Sequence, residues 1–164
     1  MRFYLVDRIT EMELGKSAKG LKCWSLTEGI FNEHFPGYPI VPGVLAIESM
    51  AQLLGILLEK SHLANFGEEH ESYAVLSIVH KAKFKSFLLP GDRAEMVGKL
   101  NTFDINHGNG VVDTFVDGKL ISSCDLSFVL IPKSKMPNER LVDMRNEYFN
   151  ILTQAESQRG QTIL

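Results

Sequence analysis

The segment FNEHFPGYPIVPGVLAIESMAQLLG, residues 31–55, carries a histidine and a carboxylate that could act as a proton-transfer pair, His34 and Glu48. A neutral imidazole accepts a proton, and a protonated carboxyl group delivers one. Charge that develops on an oxygen during such a step needs fixed donors, and bare N–H groups at a helix start supply them. Gly43 and Val44 stand where a helix is expected to begin, and the missing side chain at Gly43 lets a ligand approach the backbone. Pro36, Pro39 and Pro42 stiffen the loop that carries His34. Glu48 lies about a turn and a half into the helix. Its neighbours three and four residues away are Val44, Leu45, Ala51 and Gln52, none of them a cation. The carboxyl group is therefore expected to be desolvated, which favours the protonated acid. Gln52 is placed to hold or orient it. Taken singly, a lone helix glutamate is usually solvent-facing or paired, and a lone loop histidine is usually just a loop residue.

The elements around this pair follow from periodicity. Residues 2–12 and 18–25 read as strands, separated by a turn at ELGK. Residues 26–42 read as a long ordered loop. From about Pro42 or Gly43 to about Ser61, Val44, Ile47, Ala51, Leu54 and Leu58 form one helical stripe. Leu45, Met50, Leu53, Ile56 and Leu57 extend apolar character around most of the circumference, as in a buried helix. Residues 62–72 read as a polar loop. Strands are expected at about 73–88, 93–105, 111–116 and 119–131, with turns at Pro90-Gly91-Asp92, at HGNG (107–110) and at Asp117-Gly118. After Pro132 and Pro137, the spacing of Leu141, Met144, Tyr148 and Leu152 predicts an amphipathic helix capped by Asn138, with fraying from about Arg159. A long apolar helix needs cover nearly all round, and an antiparallel sheet needs one face covered. The expected class is α+β: an antiparallel sheet wrapped around a long central helix, with an extra C-terminal helix. Residues 1–132 would form this domain and 133–164 a helical extension. One curved sheet cannot enclose a cylinder, so a second subunit is expected.

Composition narrows the setting. The 164 residues suit one core, and 45% hydrophobic with 23% charged residues excludes a disordered chain. A net charge of -3 gives no reason to expect nucleic acid. Glu48, Gln52 and Glu59 interrupt the longest apolar stretch below the length of a membrane span. The N-terminus places charges where a signal peptide needs apolar residues, so a cytoplasmic location is expected. Cys23 and Cys124 read as two buried thiols. His62, His70, His80 and His107 show no metal-ligand spacing and read as surface or strand residues.

HFPGYPIVPGVLAIESMAQ resembles the HFP-x-x-P-(I/V)-x-PGV-(L)-x-x-E-(A/S)-x-AQ signature of FabZ-type 3-hydroxyacyl-(acyl-carrier-protein) dehydratases, which have the hotdog fold. FYLVDRITEMELGK, FKSFLLPGDRAE and VDGKLISSCDLSFVLI are similar to the family's first strand, its PGD segment and its closing strand. The resemblance covers about residues 3 to 131. The reading expects the first strand almost at residue 1, without the family's usual N-terminal helical segment, and an extra tail after Pro132; Ser122, Ser123 and Cys124 stand where the family tends to have Ala and Glu.

The resemblance implies removal of water from carrier-bound (3R)-3-hydroxyacyl thioesters to give trans-2-enoyl thioesters, in fatty-acid or related lipid biosynthesis. His34 would be the base that takes the α-proton, and Glu48 the acid at the leaving hydroxyl. Gly43 and Val44 would hold the thioester oxygen. In the family the histidine and the glutamate face each other across a dimer interface. The resemblance also implies a homodimer, or a trimer of dimers, and acyl carrier protein as partner. No metal or organic cofactor is expected, since the phosphopantetheine arm belongs to the substrate carrier. Phe35, Tyr38, Gln52 and Phe84 are candidates for an acyl tunnel, against ordinary core. Lys81, Lys83 and Lys85 alternate and so share one face of a strand; they could dock an acidic carrier, or form a solvated face. The competing readings are a hotdog thioesterase and a non-catalytic acyl-binding subunit.

Overall fold

A computed structural model describes residues 3–160 and 163. Among these residues six strands form one antiparallel sheet, and two long helices pack on it. The strands are β1 (Arg8–Glu13), β2 (Ser17–Cys23), β3 (Ser72–Phe84), β4 (Arg93–Phe103), β5 (His107–Val116) and β6 (Lys119–Pro132). Their order across the sheet is β1-β2-β4-β5-β6-β3. The helices are α1 (Gly43–Phe66) and α2 (Glu139–Gln158). This is the expected hotdog: α1 lies against the sheet, and Leu53, Leu54, Leu57 and Leu58 are fully buried in that interface. Burial of each leucine is worth about 2 kcal/mol.

Glycines let the helix sit close. A side chain at Gly20 in β2 would stand 2.9 Å from Leu53, and one at Gly108 in β5 would stand 2.5 Å from Leu58. The HGNG segment therefore belongs to β5 and is not a turn: its first glycine makes room for Leu58. The reversal lies just before it, where the Asp104 carboxylate accepts from the N–H of Asn106 (2.7 Å) and of His107 (2.9 Å). The Asp117-Gly118 hairpin is as expected, with φ of 48° and 75°, the two positive values of a type I′ turn.

Four other expectations need correction. Residues 3–7 are not part of a strand, so β1 starts at Arg8; Arg2 lies outside the described residues. Helix α1 continues five residues past Ser61, because His62 is fully buried, packs with its ring tilted against Phe66 (4.8 Å between centroids) and meets the Ile105 carbonyl (3.3 Å). His62 is thus a core residue, and Gly67, with φ of 88°, ends the helix. Cys124 is buried, with its thiol pushed up to about 11 by desolvation, whereas Cys23 is exposed. Strand β3 stops at Phe84, short of residue 88.

The tail forms the expected helix, and the Asn138 side chain accepts from the N–H of Leu141 (3.0 Å). Its buried face is rotated from the expected stripe. Val142, Leu152 and Glu156 are buried and Tyr148 is half-buried, while Leu141 and Met144 are exposed. Tyr148 sets this rotation: its hydroxyl donates to the Val6 carbonyl (2.7 Å), accepts from the Val6 N–H (3.1 Å), and its ring stacks on Tyr4 (4.0 Å). Ile163 returns to the core, so the chain is not frayed throughout beyond Arg159; residues 161, 162 and 164 lie outside the described residues.

Candidate active site

The loop from residue 26 to 42 is held by its own hydrogen bonds. The N–H of His34 donates to Ile30 O (3.0 Å), and that of Ile40 donates to His34 O (2.9 Å). Phe35 and Tyr38 exchange two backbone bonds around Gly37, whose φ is 79°. The His34–Phe35 peptide is cis. The Nδ1 of His34 lies 3.1 Å from the Ile40 carbonyl oxygen. A carbonyl only accepts, so Nδ1 carries a proton, and in the neutral ring Nε2 is the nitrogen with the lone pair. The Phe35 ring stacks on the imidazole at 4.1 Å.

Beyond His34 the chain enters α1 through Pro42, whose side chain offers the first-turn N–H groups no acceptor. A side chain at Gly43 would stand 3.1 Å from the Phe84 ring, so only glycine fits there without moving the ring. His34, Gly43 and Phe84 line one pocket of about 220 Å³, with Ala46, Phe87 and Ser122 among its other walls. Ser122 Oγ is buried there and has no hydrogen-bond partner among the described residues. Val44 is exposed beside the pocket.

Glu48 lines a different cavity, of about 260 Å³, between α1, β3 and α2. The group is half-buried. Gln52 fixes it: Nε2 donates to Glu48 Oε1 (2.9 Å) and to Phe3 O (2.9 Å), while Oε1 accepts from the Leu5 N–H (2.8 Å). These partners determine which end of the amide is nitrogen. One carboxylate oxygen is therefore held by Gln52, and Gln52 both orients the acid and lines the cavity. Within one chain His34 and Glu48 do not share a cavity.

The remaining expected residues are placed as follows. Phe84 lines the His34 pocket, whereas Phe35 and Tyr38 are more than half exposed. Tyr38 meets the Phe87 ring edge-on at 6.3 Å. Lys81 and Lys83 are exposed on β3, and Lys85 lies just past its end, with its N–H donating to Ile121 O (2.7 Å). Sequence reading missed Glu59 and Arg145, which pair in the lining of the Glu48 cavity. Their partnership spans 86 residues, and no local pattern signals it.

The FabA-like domain model matches residues 1–125. The 3-hydroxyacyl-(acyl-carrier-protein) dehydratase FabZ of Aliarcobacter butzleri is 39% identical over 133 residues, covering 79% of this chain and 88% of that protein. The FabZ of Nitratiruptor sp. is 38% identical over 137 residues, covering 80% and 89%. Among solved structures, the dehydratase heterocomplex ApeI:P of Xenorhabdus doucetiae matches with a TM-score of 0.56 at 18% identity, over 77% of this chain and 97% of that one. A thioesterase of Haemophilus influenzae matches at 0.59 and 9% identity, over 79% and 81%. At such identities the structures speak for the fold alone, while the sequence relatives and the domain model decide kinship: the chain belongs to the FabA-like family and is a relative of the FabZ dehydratases.

Proposed function

We propose that the protein dehydrates (3R)-3-hydroxyacyl thioesters carried on acyl carrier protein, giving trans-2-enoyl thioesters in fatty-acid or related lipid biosynthesis. The observation that carries this reading is the bond from His34 Nδ1 to the Ile40 carbonyl, which leaves Nε2 as the ring's free nitrogen, in a residue that lines the pocket at the start of α1. Nε2 takes a proton from the carbon next to the thioester carbonyl, whose oxygen rests against the free amides of Gly43 and Val44. Glu48, in its acid form, delivers a proton to the departing hydroxyl, which leaves as water. Relatives named for this same reaction cover most of the chain.

His34 and Glu48 open into separate cavities of one chain. We therefore place the working site between two subunits, with His34 of one facing Glu48 of the other. The exposed apolar residues Val75, Ile78 and Val79 on β3 supply a surface for that partner. Lys81, Lys83 and Lys85 are assigned to docking the acidic carrier, and Phe84 to the substrate channel beside His34. Among the described residues no helix is long and apolar enough to cross a membrane. The reading assigns no metal or organic cofactor to the chemistry.

The test is incubation with 3-hydroxyacyl carriers and mass spectrometry of the products. Loss of water with the thioester intact is expected. Free thiol would instead indicate a thioesterase. His34→Ala and Glu48→Gln should each lower turnover by at least about a hundredfold. Near-wild-type turnover in either variant refutes the assigned role.

A further inference from the structure

We propose that Arg145 of α2, paired with Glu59 of α1, forms a polar stop across the acyl cavity and sets the longest chain the site accepts. This rests on the dehydratase reading of Glu48 and extends it to substrate length. Glu48, Gln52, Ile56, Glu59 and Leu63 line the cavity and recur every three or four residues, so they share one face of α1. The stretch between Glu48 and Glu59 is walled by Ala51, Gly55, Ile56, Leu76 and Phe128. An alkyl chain gains free energy along such walls with each methylene.

At Glu59 the wall changes character. Its carboxylate accepts from Arg145 and from the Ala74 N–H (2.8 Å), and the Arg145 guanidinium also reaches the Ala74 carbonyl (3.4 Å) and covers the Tyr73 ring (5.0 Å). The Glu59 side chain is 12% exposed. Desolvation holds its carboxyl above the ordinary range, against the pull of Arg145, whose own side chain is 39% exposed; Glu59 is therefore the partner that water is least able to reach. An alkyl chain that wedged the two apart would leave a buried charge unpaired. Arg145 also lies beyond residue 125, where the family match ends, so the stop belongs to this chain's own extension.

Two magnitudes set the expected length. Glu48 and Glu59 are separated by about 16 Å along the helix. An extended chain advances about 1.2 Å per bond, so length alone admits about thirteen bonds. A methylene is about the size of a water, whose share of liquid volume is about 30 Å³. A cavity of about 260 Å³ then holds about nine of them. Volume is the tighter limit, so the fit is best near the dodecanoyl length.

The test measures binding of S-(3-hydroxyacyl)pantetheine thioesters, from butanoyl to octadecanoyl, by calorimetry. Wild-type affinity should rise to about dodecanoyl and fall by at least about tenfold at hexadecanoyl. The double variant Glu59→Leu/Arg145→Leu removes both charges together, leaving neither unpaired. It should bind hexadecanoyl at least as tightly as dodecanoyl, with dehydration KM following the same shift. A wild-type affinity that climbs through octadecanoyl overturns the proposal even if the double variant does not fold. A folded double variant that keeps the wild-type cut-off also overturns it. Dehydration of the same compounds is read separately: a length optimum in binding without enoyl product would keep the polar stop and refute the reaction.

Discussion

At His34 the Ile40 carbonyl fixes which ring nitrogen holds the proton, and the other is left to do chemistry. His62 shows the opposite fate for the same residue type. It is fully buried, Nε2–H donates to Ile105 O, and Nδ1 has no partner among the described residues. A second proton on Nδ1 would be buried without an acceptor. Desolvation accordingly lowers the His62 pKa, with His70 adding to the effect while the Ile105 bond and Asp104 oppose it. A base whose folded pKa is depressed binds fewer protons folded than unfolded. Its contribution is therefore present above the unfolded value, about 6.5, and is lost as pH falls below it. Urea unfolding at neutral and at mildly acidic pH should show this loss, and His62→Gln should flatten it. A variant with the full wild-type slope would mean that other groups carry the pH dependence.

The elements matter chiefly for where they let α1 sit. Leucines of α1 enter the space left by Gly20 and Gly108, so the helix reaches the sheet without displacing backbone. Gly108→Ala should cost about 1–3 kcal/mol, because Leu58 is fully buried and its Cδ1 would lie only 2.5 Å from the added methyl group. A reduced denaturant midpoint with an unchanged m-value would register that cost, and an unchanged midpoint would show that Leu58 can repack. Seen from the sequence, HGNG has the composition of a turn, and only the approach of a distant helix makes it strand. The same limit explains the rest. One contiguous motif singles out His34, Gly43 and Glu48 as candidates, and α1 was legible because its apolar positions repeat. The end of α1 was not legible, because His62 is polar in composition and is buried only by contacts with Phe66 and Ile105. The rotation of α2 was hidden too, since it depends on Tyr148 meeting the backbone of Val6, 142 residues away.

For the whole molecule the two sheet edges are treated differently. At β1, α2 packs alongside and Tyr148 bonds the backbone of Val6 just before the strand. At β3, pairing is with β6 on one side only, and Val75, Ile78, Val79 and Phe84 are about half exposed. An apolar edge strand left bare is a pairing surface. It lies next to the cavity that holds Glu48 and to Phe84 of the His34 pocket, so a two-fold partner seated there would bring the two half-sites together. Subunit mixing tests this directly. In a hybrid of His34→Ala with Glu48→Gln, one of the two sites at the interface carries both substitutions and the other carries neither. Two inactive proteins, unfolded together and refolded, should therefore recover about a quarter of wild-type activity, because half of the dimers are hybrids with one intact site each. If His34 and Glu48 of the same chain worked together, every chain in the mixture would remain defective. Recovery no greater than the sum of the separate variants would thus place the site within one subunit and leave the exposed edge of β3 without a catalytic role.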